Sequence, residues 1–151
     1  MRRFELIADL FCHHNVETCF ALLGDANMHW AGAMHERGVE FIYTRHEHAA
    51  VAAAAAYTRS SGKMGCASVT CGPGLTQIMT ILPIAVRANI PIVIFAGEAP
   101  IGKPWYNQMI DQAPFVRACG AKYFALHNPD TIVPQINDAF RYATDSKSPV
   151  V

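Results

Sequence analysis

Residues 43–77 constrain the fold of this chain more than any other stretch. An apolar, β-branched and aromatic run at 39–43 breaks at Thr44-Arg45-His46-Glu47-His48 and passes into residues 49–57, almost pure alanine, the strongest helix former. A second apolar run at 64–70 leads into Cys71-Gly72-Pro73-Gly74 and a helical pattern over 75–87. Strand, helix, strand, glycine turn and helix in that order are the unit of a parallel sheet, because parallel neighbours need a crossover and a helix supplies it. The predicted fold class is α/β, a doubly wound parallel sheet of about six strands with helices on both faces.

The flanking sequence continues the alternation. Phe4, Ile7, Ala8 and Phe11 share one face of a helix predicted over 3–14, Asn15 offers the left-handed conformation that closes it, and a mostly apolar strand follows at 16–23. That strand leaves through Gly24-Asp25-Ala26-Asn27, which reads equally as a plain turn or as backbone opened to a ligand. A short helix over 30–37 stops at Gly38. Residues 90–96 are rich in Ile, Val and Phe, the pattern of a strand buried on both faces. Residues 97–112 form the longest irregular segment, and the aromatics Trp105 and Tyr106 within it favour a functional loop. A fifth strand is expected at 121–126, then a helix striped by Ile132, Ile136, Ala139, Phe140 and Ala143, then a sixth strand in Ser148-Pro149-Val150-Val151. That strand reads as unfinished, so residues 1–151 are expected to be one domain of a longer or divided protein.

Composition narrows the partners. With 52% hydrophobic and 16% charged residues in a chain of 151, a substantial core can be buried with apolar surface left for an interface. Twelve basic residues balance twelve acidic ones, so nothing marks a nucleic-acid or anionic membrane surface. No apolar run approaches the ~20 residues that cross a bilayer. The five cysteines, at 12, 19, 66, 71 and 119, form no CxxC and sit in apolar runs, which reads as reduced and buried thiols in a cytosolic protein. Met1-Arg2-Arg3 could open a secretory leader, but Glu5 and Asp9 interrupt the apolar segment such a leader needs.

Glu47 is the candidate for chemistry. It stands alone at a strand-to-helix corner, where open parallel sheets build their sites, and a protonatable, half-buried carboxylate there can act as acid or base. The alternative is that it only complements the helix dipole, an effect of about 0.3–1 kcal/mol. His46 and His48 make a poor metal pair, because zinc-binding helices space their histidines four apart. The Gly72-Pro73-Gly74 turn bares backbone, yet it is neither a phosphate loop nor the G-x-G-x-x-G of dinucleotide binders.

Three motifs in order carry a resemblance: Arg45-His46-Glu47 ahead of the alanine helix that ends Tyr57-Thr58-Arg59-Ser60-Ser61-Gly62-Lys63, then Thr70-Cys71-Gly72-Pro73-Gly74-Leu75-Thr76-Gln77, then Asn107-Gln108-Met109-Ile110-Asp111-Gln112. Together they resemble the N-terminal pyrimidine-binding domain of thiamine diphosphate-dependent enzymes, in particular the acetolactate synthase-like group. The resemblance implies that fold and, for Glu47, a hydrogen bond to N1′ of the cofactor's aminopyrimidine. A carboxyl so placed shares a proton with the ring, whose N4′ then takes the proton from C2 of the thiazolium. It further implies that Leu23, Gly24, Thr70, Gly72, Pro73 and Gln77 line the cofactor, and that Asp25, Ala26 and Gln108 face the substrate. The implied reaction is decarboxylation of a 2-oxo acid and transfer of the carbanion-enamine to an acceptor. In the family, thiamine diphosphate is anchored through its diphosphate and Mg²⁺ on a separate domain of a partner or neighbouring subunit, so a homodimer or homotetramer is implied.

The departures are local. Ala54-Ala55-Ala56-Tyr57-Thr58-Arg59 lacks the acid and the glycine of the family's helix, Gln77 replaces an asparagine, Leu23 a proline, and Asn107 the phenylalanine before the glutamine. The last change weakens assignment to acetolactate synthase itself. Gly24-Asp25-Ala26 is not the family's diphosphate motif. A simple 2-oxo acid decarboxylase, a non-catalytic domain that kept the fold, and an unrelated flavodoxin-like enzyme remain as alternatives, the second favoured by the missing acid at Ala55.

Overall fold

A computed structural model describes residues 2–151; of the opening Met1-Arg2-Arg3, Met1 lies outside the described residues. The elements run α1 (Arg3–His13), β1 (Thr18–Ala21), α2 (Met28–Glu36), β2 (Glu40–Tyr43), α3 (Glu47–Ser61), β3 (Gly65–Val69), α4 (Pro73–Thr76), α5 (Ile81–Arg87), β4 (Ile92–Ala96), α6 (Ala113–Ala118), a single 3-10 turn at Pro129–Thr131, and α7 (Ile132–Ser146). All strand pairings are parallel, in the order β2-β1-β3-β4. The winding direction reverses between β1 and β3. In open α/β sheets that reversal opens a crevice at the carboxyl ends of the strands, where ligands bind.

Period-two alternation sorts the strand residues between two cores. Cys19, Ala21, Cys66 and Val93 pack with α1, α2 and α7, while Phe20, Ala67, Val69, Ile92 and Ile94 pack with α3, α4 and α5. Helices therefore cover both faces, as the alternation in sequence predicts. All five cysteines are free; Cys19, Cys66 and Cys71 are buried, whereas Cys12 and Cys119 are only half-buried.

Several boundaries differ from the sequence reading, each for a physical reason. Asn15 adopts φ 60°, the predicted closure of α1, but β1 ends at Ala21. Beyond it the Asn27 side chain draws the strand into its turn by donating to Leu22 O at 3.2 Å. α2 begins at Met28 rather than Trp30, because the N–H groups of Asn27 and Met28 already bond to Gly24 O at 3.3 and 3.1 Å. The helix expected over 75–87 is broken into α4 and α5. Pro83 has no N–H for the carbonyl of Met79, four residues before it, and its ring crowds that carbonyl. Met79 O accepts instead from Cys119 Sγ at 3.7 Å.

The sheet has four strands rather than about six. The sixth segment lies beside β4 and the fifth beyond it, but each pairs at a single bridge, Val93 with Val150 and Val150 with Lys122, both parallel. Pro149 has no N–H to donate, so Val150 and Val151 carry the donors of that segment, to Ile92 O at 3.0 Å and Lys122 O at 2.9 Å.

Candidate active site

Four chain segments meet at the carboxyl edge of the sheet: the turn after β1, the β2-to-α3 corner, the turn after β3 and the loop after β4. The corner is built by local bonds. Thr44 N–H donates to Ala21 O at 2.9 Å, Thr44 Oγ1 donates to His46 O at 3.0 Å, and His46 caps α3 by accepting from His48 N–H on Nδ1 at 3.1 Å. One imidazole is thereby spent on the backbone. Among the described residues no three His, Cys, Asp or Glu side chains converge on a common point.

Glu47 is then the first residue of α3, half-buried, with its carboxylate in none of the five ion pairs among the described residues. Gly74, buried in the turn after β3, packs beside it. A β-carbon placed on Gly74 would lie 3.4 Å from Glu47 Oε1 and 2.7 Å from Thr70 Cγ2, so only glycine lets Thr70 pack this close to the turn beside Glu47. Thr70 also fills the space above Gly24, where a β-carbon would come within 2.7 Å of its Oγ1. That hydroxyl is buried and has no hydrogen-bond partner. Glu47, Gly74, Thr70 and Gly24 thus form one contiguous strip across β2, β3 and β1.

Gly72, at φ 60°, is the residue just before α4 and touches the other side of the site. The backbone carbonyl of Gln108 lies where a side chain on Gly72 would begin. The Gln108 side chain is held over the same turn, its Oε1 accepting from Cys71 Sγ at 3.6 Å and facing the Tyr106 hydroxyl at 3.5 Å. Burial pushes the Cys71 thiol up, so it stays a neutral donor at neutral pH. Pro73 and Gln77 are exposed on the outside of the turn, and Gln77 does no more than close α4 through its N–H to Pro73 O at 3.2 Å. In the β1 turn, Leu23 and Asp25 are exposed, while half-buried Ala26 packs against Gly97.

Two buried polar residues hold these turns, and the sequence reading gave neither a role. Asn27, 1% exposed, accepts from Gly24 N–H at 2.8 Å and donates to Leu22 O and to Ser68 Oγ at 3.2 and 2.9 Å. Gln112 accepts from Gly72 N–H and donates to Gly97 O, both at 3.0 Å. Asn27 had a signal, an asparagine closing a glycine turn directly before a helix. Gln112 had none.

A partly open apolar cavity of about 290 Å³ lies elsewhere, on the opposite face of the sheet, between β4 and residues such as Phe11, Phe124, Ile136 and Phe140. It does not include Glu47, Thr70 or Gly74. The Glu47 strip lies outside that cavity, with Gly74 buried and Glu47, Thr70 and Gly24 half-buried.

The family described as "Thiamine pyrophosphate enzyme, N-terminal TPP binding domain" matches residues 1–115. The chain belongs to that family. Among curated relatives of this thiamine pyrophosphate-binding domain, the mitochondrial acetolactate synthase catalytic subunit of Saccharomyces cerevisiae is 31% identical over 95% of this chain and 21% of its own length. The acetolactate synthase large subunit of Haemophilus influenzae is 33% identical over 97% of this chain and 26% of its own. The 2-hydroxyacyl-CoA lyase 2 of Caenorhabditis elegans is 35% identical over 92% and 22%. The chain spans about a quarter or less of these relatives. A solved thiamine diphosphate-dependent 4-hydroxybenzoylformate decarboxylase from Rhodococcus jostii RHA1 shares the fold, with a TM-score of 0.86 at 19% identity over 97% of this chain and 28% of that one.

Proposed function

We propose that the intact protein uses thiamine diphosphate to decarboxylate a 2-oxo acid and join the remainder to an acceptor, with this domain supplying the aminopyrimidine half of the site. The observation that carries the reading is the half-buried Glu47 carboxylate at the start of α3, in no ion pair among the described residues and with Gly74 and Thr70 packed beside it. The strip fits a flat heteroaromatic ring. Glu47 would hold a proton against a ring nitrogen, and Thr70 Oγ1, buried without a partner, has a hydrogen bond to give. Gly72, Pro73, Leu23 and Gly24 would bound the ring, with Gln77 at its outer margin. When bound, the cofactor supplies the electron sink that loss of CO₂ from a 2-oxo acid requires. Gln108, held over Gly72, would meet the substrate together with Asp25 and Ala26.

Leu23 in the turn after β1, Met28 at the start of α2, and Ile42 and Tyr43 at the end of β2 are large apolar residues, and all four are exposed, Tyr43 by 62%. This supports a neighbouring subunit over the Glu47 strip, in a homodimer or homotetramer, whose own diphosphate domain brings the diphosphate and Mg²⁺. Five free thiols support a reducing, cytosolic setting. A second reading, cleavage of a 2-hydroxyacyl-CoA, is favoured by the relatives of that name; it breaks the same kind of carbon–carbon bond that the first reading makes.

The test is to give the intact protein thiamine diphosphate, Mg²⁺ and a panel of carboxyl-labelled 2-oxo acids. Labelled CO₂ together with a hydroxyketone product is expected. Cleavage of 2-hydroxyacyl-CoA in its place would support the second reading, and neither product under any condition would contradict both.

A further inference from the structure

The loop that carries Gln108 and the turn beside Glu47 are separate pieces of chain, 30 or more residues apart, yet one side chain fastens both. Gln112, 2% exposed, uses both ends of its amide on backbone: Oε1 on Gly72 N–H and Nε2 on Gly97 O, each at 3.0 Å. Gly97 N–H in turn donates to Val69 O at 3.1 Å, so the exits of β3 and β4 are tied at two levels. Gly72 is the member whose backbone is least restrained by its own side chain, since glycine adopts φ 60° and its alternatives with little strain. The Gln108 carbonyl rests directly on it, and Gly74, two residues on, faces Glu47 Oε1.

A shift of Gly72 would therefore move Gln108 relative to Glu47. A buried amide with both halves satisfied resists such a shift, because breaking either bond leaves a desolvated backbone group unpaired.

We infer that Gln112 is a positioning residue that keeps Gln108 in register with the Gly72–Gly74 turn, and so governs recognition of the 2-oxo acid without taking part in cofactor activation. This rests on the function proposed above. It differs from a general structural role, which would lower stability and leave the kinetic constants of the folded fraction alone.

The test compares two variants of the intact protein. Gln112→Met keeps length and burial but has no hydrogen bonds to offer; Gln112→Glu keeps the acceptor for Gly72 N–H and loses the donor to Gly97 O. In Gln112→Met, amide exchange at Gly72 should accelerate and KM for the 2-oxo acid should rise, each by about tenfold for one lost hydrogen bond. Exchange of the cofactor's C2 proton should stay within about twofold of wild type, since Glu47 is untouched. Gln112→Glu should keep Gly72 slow to exchange. Unchanged exchange at Gly72 in Gln112→Met would show that the clamp does not exist, and a lowered Tm with unchanged KM would reduce Gln112 to a structural anchor; either overturns the inference. A wild-type protein that turns over no 2-oxo acid would overturn the recognition role together with the function it rests on, while the Gly72 exchange would still decide the clamp.

Discussion

The Glu47 corner and the two turns that face it are built on opposite principles. Asn27 and Gln112 are buried, and both the oxygen and the nitrogen of each amide are hydrogen-bonded. Glu47 is half-buried and in no ion pair among the described residues, beside a tightly packed glycine and a threonine hydroxyl with nothing to bond. Satisfied polar groups fix geometry, whereas unsatisfied ones keep their interactions free for a ligand. The residues that hold these turns are thus distinct from the residue proposed to act beside them, and mutation should separate them too.

The largest effect on stability is expected at Gly72. Gly72→Ala would force a side chain into a left-handed backbone and onto the Gln108 carbonyl, costing on the order of 3 kcal/mol or more in urea unfolding. Tolerance of that change would mean that the two loops are not in contact. Asn27→Ala comes next. It strands Gly24 N–H and Leu22 O and leaves Ser68 Oγ only its bond to Phe95 O, and should cost about 1–3 kcal/mol by the same measurement. Glu47→Gln should be the smallest, within about 1 kcal/mol, because only its interaction with the α3 dipole is lost. Were Glu47→Gln as damaging as Asn27→Ala, the contrast between acting and holding residues would collapse.

What could be read in the sequence follows the same division. The Glu47 corner was legible because local signals agree there: a β-branched run, a break and a block of alanines. Winding on both faces was legible for the same reason, from the strict succession of strands and helices. Sheet width was not, because the strand character of residues 121–126 and 148–151 says nothing about how many donors align, and Pro149 removes one. The break between α4 and α5 had its cause in plain view at Pro83, although the surrounding apolar pattern reads through it. Gln112 was out of reach. Its two partners, Gly72 and Gly97, lie 40 and 15 residues away, and no local pattern distinguishes a buried amide in a loop from a solvated one.

The most direct test of the central claim is exchange of the thiamine diphosphate C2 proton, followed by NMR in the intact protein and its Glu47→Gln variant. The amide keeps the shape of the carboxylate and loses the titrating proton. If Glu47 activates the cofactor, the variant should bind it and exchange slower by a factor of about 10²–10⁴, as expected for loss of a positioned acid/base. Exchange at the wild-type rate in a variant that still binds cofactor would contradict the assignment of Glu47.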